Sequence, residues 1–537
     1  MAGIGSTLNH LYEKKSITMH AAGFLYSALV TVAPMFLVIG AIILSEWYLN
    51  FSDVAYYPRE LFADTVLYIF IFSLLSASPF NAVLSKYLSD IIFQEKYEDI
   101  MPCFYVGMML NVLFGSLFAV PFCVREYLVG QVPLYYVFTG YSGFMALLLV
   151  FYCMLYLSIT KDYVRISVFY AIGMLITFLL SVLFRKFLHF EVTYAILLAL
   201  VIGFAVIASF EIASVQSYFR RNSRRYRPVF SYFRRYWKLI FINFLYTLGL
   251  YIHNFVFWTT DDHMIIAKSF VTMMPYDMAT CLAMFTNISA TVIFISRVEM
   301  RFHDRYKAYS EAVIGGRGRD IRNTQNRMFR CLSGELVSLG RLQFIITVIA
   351  FLFCIVVLPQ FGFGGQTMRM YHCLAVGYFI LFLMYAEILF LYYFTDLTGA
   401  LLTAVLFCTV TLLGSIWATR LPEIWYGIGL VLGALTGFIT AYLRLQWMER
   451  NLDTHIFCQG DLIKRAHGRK PSGKVYDRSE KAAGRADQES SAGRTNQEKT
   501  AGKADQESSD GRTDRESSAG RTEREKPVGS TDQNKIS

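Results

Sequence analysis

Apolar stretches of the length a helix needs to cross a bilayer, roughly 17 to 25 residues, recur along the chain up to residue 447. They predict about twelve transmembrane helices, near residues 20–45, 62–83, 102–124, 133–158, 165–184, 193–215, 237–258, 272–296, 339–358, 371–394, 399–419 and 423–447. The fifth and the eighth begin on polar residues. Ahead of the first lies an amphipathic segment with Ile4, Leu8, Leu11 and Tyr12 at helical spacing. That first stretch is too long for the apolar region of a signal peptide and no clear cleavage site follows it, so it is expected to stay as a span.

The pattern stops after the last span. From Ala466 to Ser537 there is no Leu, Phe, Met or Trp, and a nine-residue unit recurs: AGRADQESS, AGRTNQEKT, AGKADQESS, DGRTDRESS, AGRTEREKP. Such a segment has nothing to bury against the entropy of ordering, so 451–537 is expected to be a disordered tail. Its functional reading is a tether or partner-binding tail; its bland reading is a neutral repeat expansion.

An even number of spans puts both termini on one side, and Lys and Arg in the loops choose the side. After the sixth span come Arg220, Arg221, Arg224, Arg225, Arg227, Arg234, Arg235 and Lys238 with no acid among them, and after the eighth an Arg-rich connection runs from Arg297 through Arg301 to Arg330. Both are expected to face the cytoplasm, as are both termini. Arg185 and Lys186 after the fifth span go against this orientation, but two residues do not reverse it. Trp47, Trp237, Trp258, Trp417, Trp425 and Trp447 all fall beside span ends, where an indole sits at headgroup depth.

The basic linker divides the spans six and six. FLYSALV (Phe24 to Val30) and FLYTLGL (Phe244 to Leu250) open the first and seventh spans, and the second and eighth each run on into a charged, Tyr-containing helix. A parallel duplication would explain this, and chance similarity of apolar sequence would as well. The expected organisation is an N-terminal lobe with its amphipathic segment (1–215), a basic linker (216–236), a C-terminal lobe (237–450) and the tail. Within 297–338, Val298, Phe302, Tyr309 and Val313 lie at helical spacing, Gly315, Gly316 and Gly318 interrupt, and Ile321, Met328, Phe329, Leu332 and Leu336 follow. Two amphipathic helices lying under anionic headgroups fit this pattern.

Composition sharpens the class. Hydrophobic residues make up 55% of the chain and charged ones 17%, against about 25% charged in ordinary soluble domains. The net charge of +10 is no nucleic-acid footprint, because the basic residues concentrate in the two loops that report orientation. Nine cysteines occur singly with no C-x-x-C pair, which argues against a disulfide framework or a zinc site. H-E-x-x-H is absent, and the nearest approach to a phosphate-binding loop, Gly468 to Lys474, ends in Val475 without the necessary strand and helix. No cofactor is expected. Asp53 and Glu60 are the one pair placed as a lipid-sugar glycosyltransferase would place its acids.

A charge inside a span is expensive unless paired or wetted, and so marks a pathway by default. Glu387 is the deepest acid; its structural reading is a protonated, hydrogen-bonded residue, its functional one cation coupling or polymer contact. His253 and Asn254 lie within the seventh span, Asp261 and Asp262 at its far end, and Asp277 at the mouth of the eighth, where it could equally cap a helix. These polar groups are the best candidate lining for a transport path, weighed against a role as structural glue. Glu211, Lys86, Asp90 and Asp396 lie near cytoplasmic span ends, where snorkelling makes a charge tolerable. The first six spans hold only Asp64 and Glu211, both near ends.

Several segments carry a resemblance. The opening Met-Ala-Gly-Ile-Gly, SPFNAVLSKYLSDIIFQEKYEDIMP (Ser78 to Pro102), LYTLGLYIHNFVFW (Leu245 to Trp258), YDMAT (Tyr276 to Thr280) and SRVEMRFHDRYKAYSEAV (Ser296 to Val313) resemble the PelG family of exopolysaccharide membrane subunits, over residues 1 to 450. That family is distantly similar to the multidrug and polysaccharide exporter (MATE-like) superfamily. The resemblance implies an all-α polytopic membrane protein of two six-helix lobes around a central cavity, in the bacterial cytoplasmic membrane. It also implies export of an amino-sugar polysaccharide, a cytosolic nucleotide-sugar glycosyltransferase as partner, and a cyclic-di-GMP-responsive membrane subunit. It assigns no role to His253, Asn254 or Glu387, and it does not place the tail.

The reading is a transporter subunit, not an enzyme, that passes a sugar polymer along neutral hydrogen-bonding groups and aromatics, with the basic loops contacting partners or anionic lipid. The alternatives are a cation-coupled small-molecule antiporter and a non-conducting scaffold for the synthase.

Overall fold

A computed structural model describes residues 17–160, 163–293, 299–361 and 364–459. The N-terminal amphipathic segment, Arg297 and the nonapeptide repeats lie outside them. In chain order the helices are α1 (Ile17–Tyr48), α2 (Tyr56–Phe93), α3 (Ile100–Leu128), α4 (Leu134–Thr160), α5 (Tyr163–Lys186), α6 (Val192–Tyr218), α7 (Arg227–Arg235) and α8 (Trp237–Phe257). A two-stranded hairpin follows, β1 (Met264–Ile266) and β2 (Phe270–Thr272), antiparallel with Ile265 opposite Val271. Then come α9 (Met274–Ile293), α10 (Glu299–Gly315), α11 (Gly318–Val357), α12 (Gly365–Tyr393), α13 (Leu397–Ala418) and α14 (Ile428–Gln459). Each predicted span falls on a helix. Ten of these helices are long and apolar enough to cross a membrane, and α1 and α9 complete the predicted set. One end of the bundle carries the β1–β2 hairpin, the other the basic linker.

Helices α1 to α6 pack chiefly on one another, and so do α8, α9, α11, α12 and α13. The two groups meet along α2 with α8 and along α1 with α9. If α8 repeats α1 and α9 repeats α2, these two seams are the same contact made twice. On the α1–α9 seam Phe36 stacks with Phe285, ring centroids 6.1 Å apart. On the α2–α8 seam, Pro79 denies its turn of α2 a backbone N–H, and Ser78 Oγ donates to Leu75 O at 3.0 Å, the carbonyl left without its helical donor. Asn243 of α8 donates to Ser78 O at 2.9 Å in the same turn. Elsewhere small residues allow close approach: a Cβ on Gly433 of α14 would collide with Thr411 Oγ1 of α13.

Two expectations are corrected. The two helices expected within 297–338 form, parted between Gly315 and Gly318, but their apolar faces turn to protein and not to headgroups. The second stretch is the first half of α11, a single 40-residue helix continuous with the ninth span. The apolar faces are occupied by protein: Phe302 of α10 is buried, with its ring 4.9 Å from Phe390 and 5.2 Å from Tyr393, and Phe329 of α11 stacks on Phe394 at 5.4 Å. The aromatic run that ends α12 supplies a drier partner than headgroups would. Trp258 is likewise not an interfacial residue, being 7% exposed, whereas the other five tryptophans are exposed as expected.

The acids read as lying near span ends sit in helices that extend further than their apolar runs. Helix α2 begins at Tyr56 and α6 ends at Tyr218, which puts Asp64 and Glu211 about two turns inside, both fully buried. At the linker end Lys86 pairs with Asp90 at 2.8 Å. Asp396 accepts from Arg444 Nε at 2.5 Å and Nη2 at 3.2 Å, and from the Gly399 N–H at the start of α13. Glu211 has no partner on either oxygen among the described residues.

The Asp396–Arg444 pair gives the first prediction. Because Asp396 is 2% exposed, Arg444→Met strands a buried carboxylate and should destabilise the protein by about 3 kcal/mol. Thermal unfolding in detergent would show a clearly lowered midpoint, while the double change with Asp396→Asn should recover much of the loss.

Candidate functional site

The α2–α8 seam ends in a set of bonds between α2 and the hairpin. Asp64 and Tyr68 lie one turn apart on α2 and so share a face. Thr272 Oγ1 donates to Asp64 Oδ1 at 3.0 Å. The Tyr68 hydroxyl donates to Val271 O at 2.9 Å and accepts from Val271 N at 3.0 Å, so it serves the outer edge of β2 as another strand would. Tyr56 OH reaches Met264 Sδ at 3.2 Å. The next turn of α2 continues the line, with Phe72 stacked on Phe255 at 5.8 Å.

Asp277 supports this arrangement from the other side. It lies in the first turn of α9, where a negative charge suits the helix N-terminus. It accepts from Asn254 Nδ2 at 2.6 Å, from the Met273 N–H at 3.1 Å, and from Trp258 Nε1 at 3.1 and 3.0 Å. The indole so fixed lies flat on Tyr68, ring centroids 5.2 Å apart and planes within 5°. A chain of contacts therefore runs from the N-terminus of α9 through Trp258 to Tyr68 and into the hairpin.

The hairpin is held under strain. Ala267 and Lys268 in its turn both have left-handed backbones, φ 51° and 59°, a conformation costing a non-glycine residue of order 1 kcal/mol or more. Ser269 N closes the turn on Ile266 O at 3.2 Å. Gly130, just past α3, is required beneath it, since a Cβ there would stand 2.7 Å from Ala267 O.

Beside the seam, α2, α3 and α4, with Phe244 of α8 and Phe270 of β2, enclose a cavity of about 330 Å³. Half of its lining side chains are aromatic, and Glu126 is the one charged residue among them. Tyr68, Phe122 and Phe270 pack together at its hairpin end, with centroids 5.0 to 5.6 Å apart. The clasp and the cavity therefore share Tyr68.

Of the residues expected to line a path, the structure gathers His253, Asn254 and Asp277 in the packed interface of α8 with α9. His253 is fully buried, with Nδ1 2.9 Å from Tyr276 OH and its ring against Tyr378 of α12. Asn254 donates to Asp277 and, at 3.2 Å, to Thr280 Oγ1, while Asp277 is filled by its three donor groups. Asp261 and Asp262 remain exposed beyond α8. Glu387 lies in the last two turns of α12, buried and away from this cluster, with Oε2 unpartnered among the described residues. None of the six lines the aromatic cavity.

The basic candidates divide as well. Arg301 is held by Glu335 at 3.0 Å, Arg221 lies 3.5 Å from Glu98, and Lys238 donates to Thr398 Oγ1 at 2.7 Å. Arg235 lies over the Tyr236 ring. Arg220, Arg224, Arg225, Arg227 and Arg234 are exposed. The linker is docked rather than loose: Ser223 N donates to Glu98 O, Ser223 Oγ bonds Asp99, and Tyr232 of α7 donates to Asp90 at 3.2 Å.

The sequence reading missed Glu126, Tyr68 and the hairpin. Two β-branched or apolar triplets, Met264–Ile266 and Phe270–Thr272, around a short polar turn were the available signal, but Ala267–Lys268 lacks the Asn-Gly chemistry that announces such turns. Glu126 lies just past the apolar run that marked the third span.

The clasp gives a prediction. Tyr68→Phe removes two hydrogen bonds to Val271 and should cost about 2 kcal/mol locally. Hydrogen exchange at the Val271 amide should then quicken by about thirtyfold, with little change in α12.

A family model of PelG exopolysaccharide exporters (EPS-E) matches residues 1–457. No curated protein matches the chain. Among solved structures, a Vibrio cholerae MATE transporter, VcmN, superposes with a TM-score of 0.57 at 12% identity, covering 84% of this chain and 99% of that one. A MATE multidrug resistance transporter of the MOP superfamily matches in its inward-facing form with a TM-score of 0.52 at 12% identity, over 79% of this chain and 99% of that one. The outward-facing form gives 0.52 at 14% identity, over 79% and 96%. The equal scores establish a MATE-like fold without favouring either state. A multi-pass helical bundle with this fold, matched over nearly all its described length, places the chain in the PelG family of exopolysaccharide exporters.

Proposed function

We propose that this membrane transporter carries a growing exopolysaccharide across the bacterial cytoplasmic membrane, with the linker end and both termini in the cytoplasm and the hairpin end outside. The observation that carries the reading is the aromatic cavity beside a seam whose hairpin end is closed by hydrogen bonds, stacked rings and the burial of Ile266 and Phe270. A sugar polymer presents hydroxyls and apolar ring faces. Aromatic walls with few charges hold such a chain weakly at many points and let it slide, where one tight site would stall it.

Opening the hairpin end requires Asp64 and Tyr68 to part from Thr272 and Val271. Each such bond is worth about 1 kcal/mol net, and uncovering Ile266 and Phe270 costs about 1.5 to 3 kcal/mol each besides, so a ligand must bind the open state better by that sum to shift the balance. The left-handed turn at Ala267 and Lys268 lowers that amount further if release lets the turn relax. At the other end, the exposed arginines of the docked linker form a basic surface suited to anionic headgroups or to the cytosolic glycosyltransferase that feeds the chain. A cyclic-di-GMP-responsive membrane subunit is the expected regulator.

The buried, incompletely bonded Glu387 and the MATE-like fold favour one other reading, a cation-coupled antiporter. Two measurements separate the readings. Vesicles holding this chain and the synthase, with their cytoplasmic faces outward, should accumulate polymer protected from an added glycoside hydrolase; polymer confined to the outside would overturn the exporter reading. Glu387→Gln should leave that accumulation within about twofold of wild type if Glu387 only packs α12, whereas cation coupling would predict a loss of ten- to a hundredfold.

A further inference from the structure

Glu126 is the charged side chain of the aromatic cavity, and the clasp does not employ it. It lies in the last turn of α3, 2% exposed, and neither carboxylate oxygen has a hydrogen-bond partner among the described residues. The Ser269 hydroxyl of the hairpin is set against it as a donor outside close hydrogen-bond geometry, and has no other partner among the described residues. Arg125, next in sequence, is exposed and forms no described ion pair with it. Burying a carboxylate without donors is expensive, and the other acids at the hairpin end avoid it: Asp277 has three donor groups and Asp64 has Thr272. Glu126 lines the cavity instead, next to Tyr68, Phe122 and Tyr136.

We propose that Glu126 and these rings form a binding site for a protonated amine attached to a ring-shaped or apolar body. The carboxylate supplies the counter-charge and acceptor oxygens, and the aromatic faces attract the cation and cover the body. An alkyl chain would fill the apolar volume and leave Glu126 unanswered. A metal ion would find one carboxylate and no second ionised ligand among the lining residues. The amine has two possible sources: an amino sugar within the polymer, which rests on the function proposed above, or a free amine, which does not.

The test uses the full chain in lipid nanodiscs and follows tryptophan fluorescence, since Trp258 lies on the cavity ring Tyr68. The probes are a glucosamine oligomer and phenethylammonium, each paired with its neutral N-acetyl counterpart. At least one amine should bind about tenfold or more tightly than its acetylated partner, the difference a charged hydrogen bond supplies. Glu126→Gln should abolish that difference and Glu126→Asp should keep part of it. The Asp variant and an unchanged elution profile separate loss of the site from loss of the fold. Discrimination of the oligomer assigns the site to the polymer. Discrimination of phenethylammonium alone supports the site while removing it from the polysaccharide path. Equal binding of amine and acetyl forms in both pairs, or full discrimination retained in Glu126→Gln, overturns the proposal.

Discussion

A carboxylate kept from water needs donors, a cation or a proton, and much of this bundle follows from how its buried acids meet that need. Asp396 takes a cation, Arg444, and fixes the start of α13 at the linker end. Asp277 takes three donor groups, which ties Asn254 and Trp258 to the first turn of α9. Asp64 takes one hydroxyl from the far group of helices, so its need is met only while the hairpin is docked. Glu126, Glu211 and Glu387, and Asp64 at its second oxygen, keep at least one oxygen without a described partner. Fully satisfied acids hold joints between helices, and incompletely satisfied ones are costly enough to draw attention as sites.

The seam between the two helix groups shows the same economy. Bonds along α2 come from every turn or two: Asp64, Tyr68, Phe72, then the Ser78 carbonyl. Nearest the hairpin they are hydrogen bonds that can be exchanged for others, and deeper they are stacked rings that can slide. Tyr68 belongs to both the clasp and the cavity, so whatever fills the cavity presses on the residue that holds the hairpin. Under the proposed function, that shared side chain would couple occupancy to opening without a longer pathway.

The spans were legible because a bilayer leaves no alternative to long apolar helices, and the family was legible because motifs such as LYTLGLYIHNFVFW and YDMAT keep their order along the body. Helix ends were less so. Asp64, Glu126 and Glu211 lie where the apolar run has lapsed but the helix has not, and hydropathy cannot register a turn kept dry by its neighbours. Trp258 read as interfacial for the same reason. His253, Asn254 and Asp277 were singled out as polar groups within spans, but pattern alone could not show that Asn254 bonds Asp277 and His253 meets Tyr276. The hairpin was hidden in a segment of nine residues whose turn, Ala267–Lys268, is stabilised by docking on Gly130 rather than by its own sequence.

The account turns on the hairpin leaving α2 when polymer passes, and a cross-link tests that most directly. With Asp64→Cys and Thr272→Cys, whose native side chains are within 3.0 Å, a short thiol-specific bridge should stop polymer export while formed and restore it when reduced, each single variant serving as control. Export at the uncross-linked rate through chains shown to be fully bridged would contradict the account.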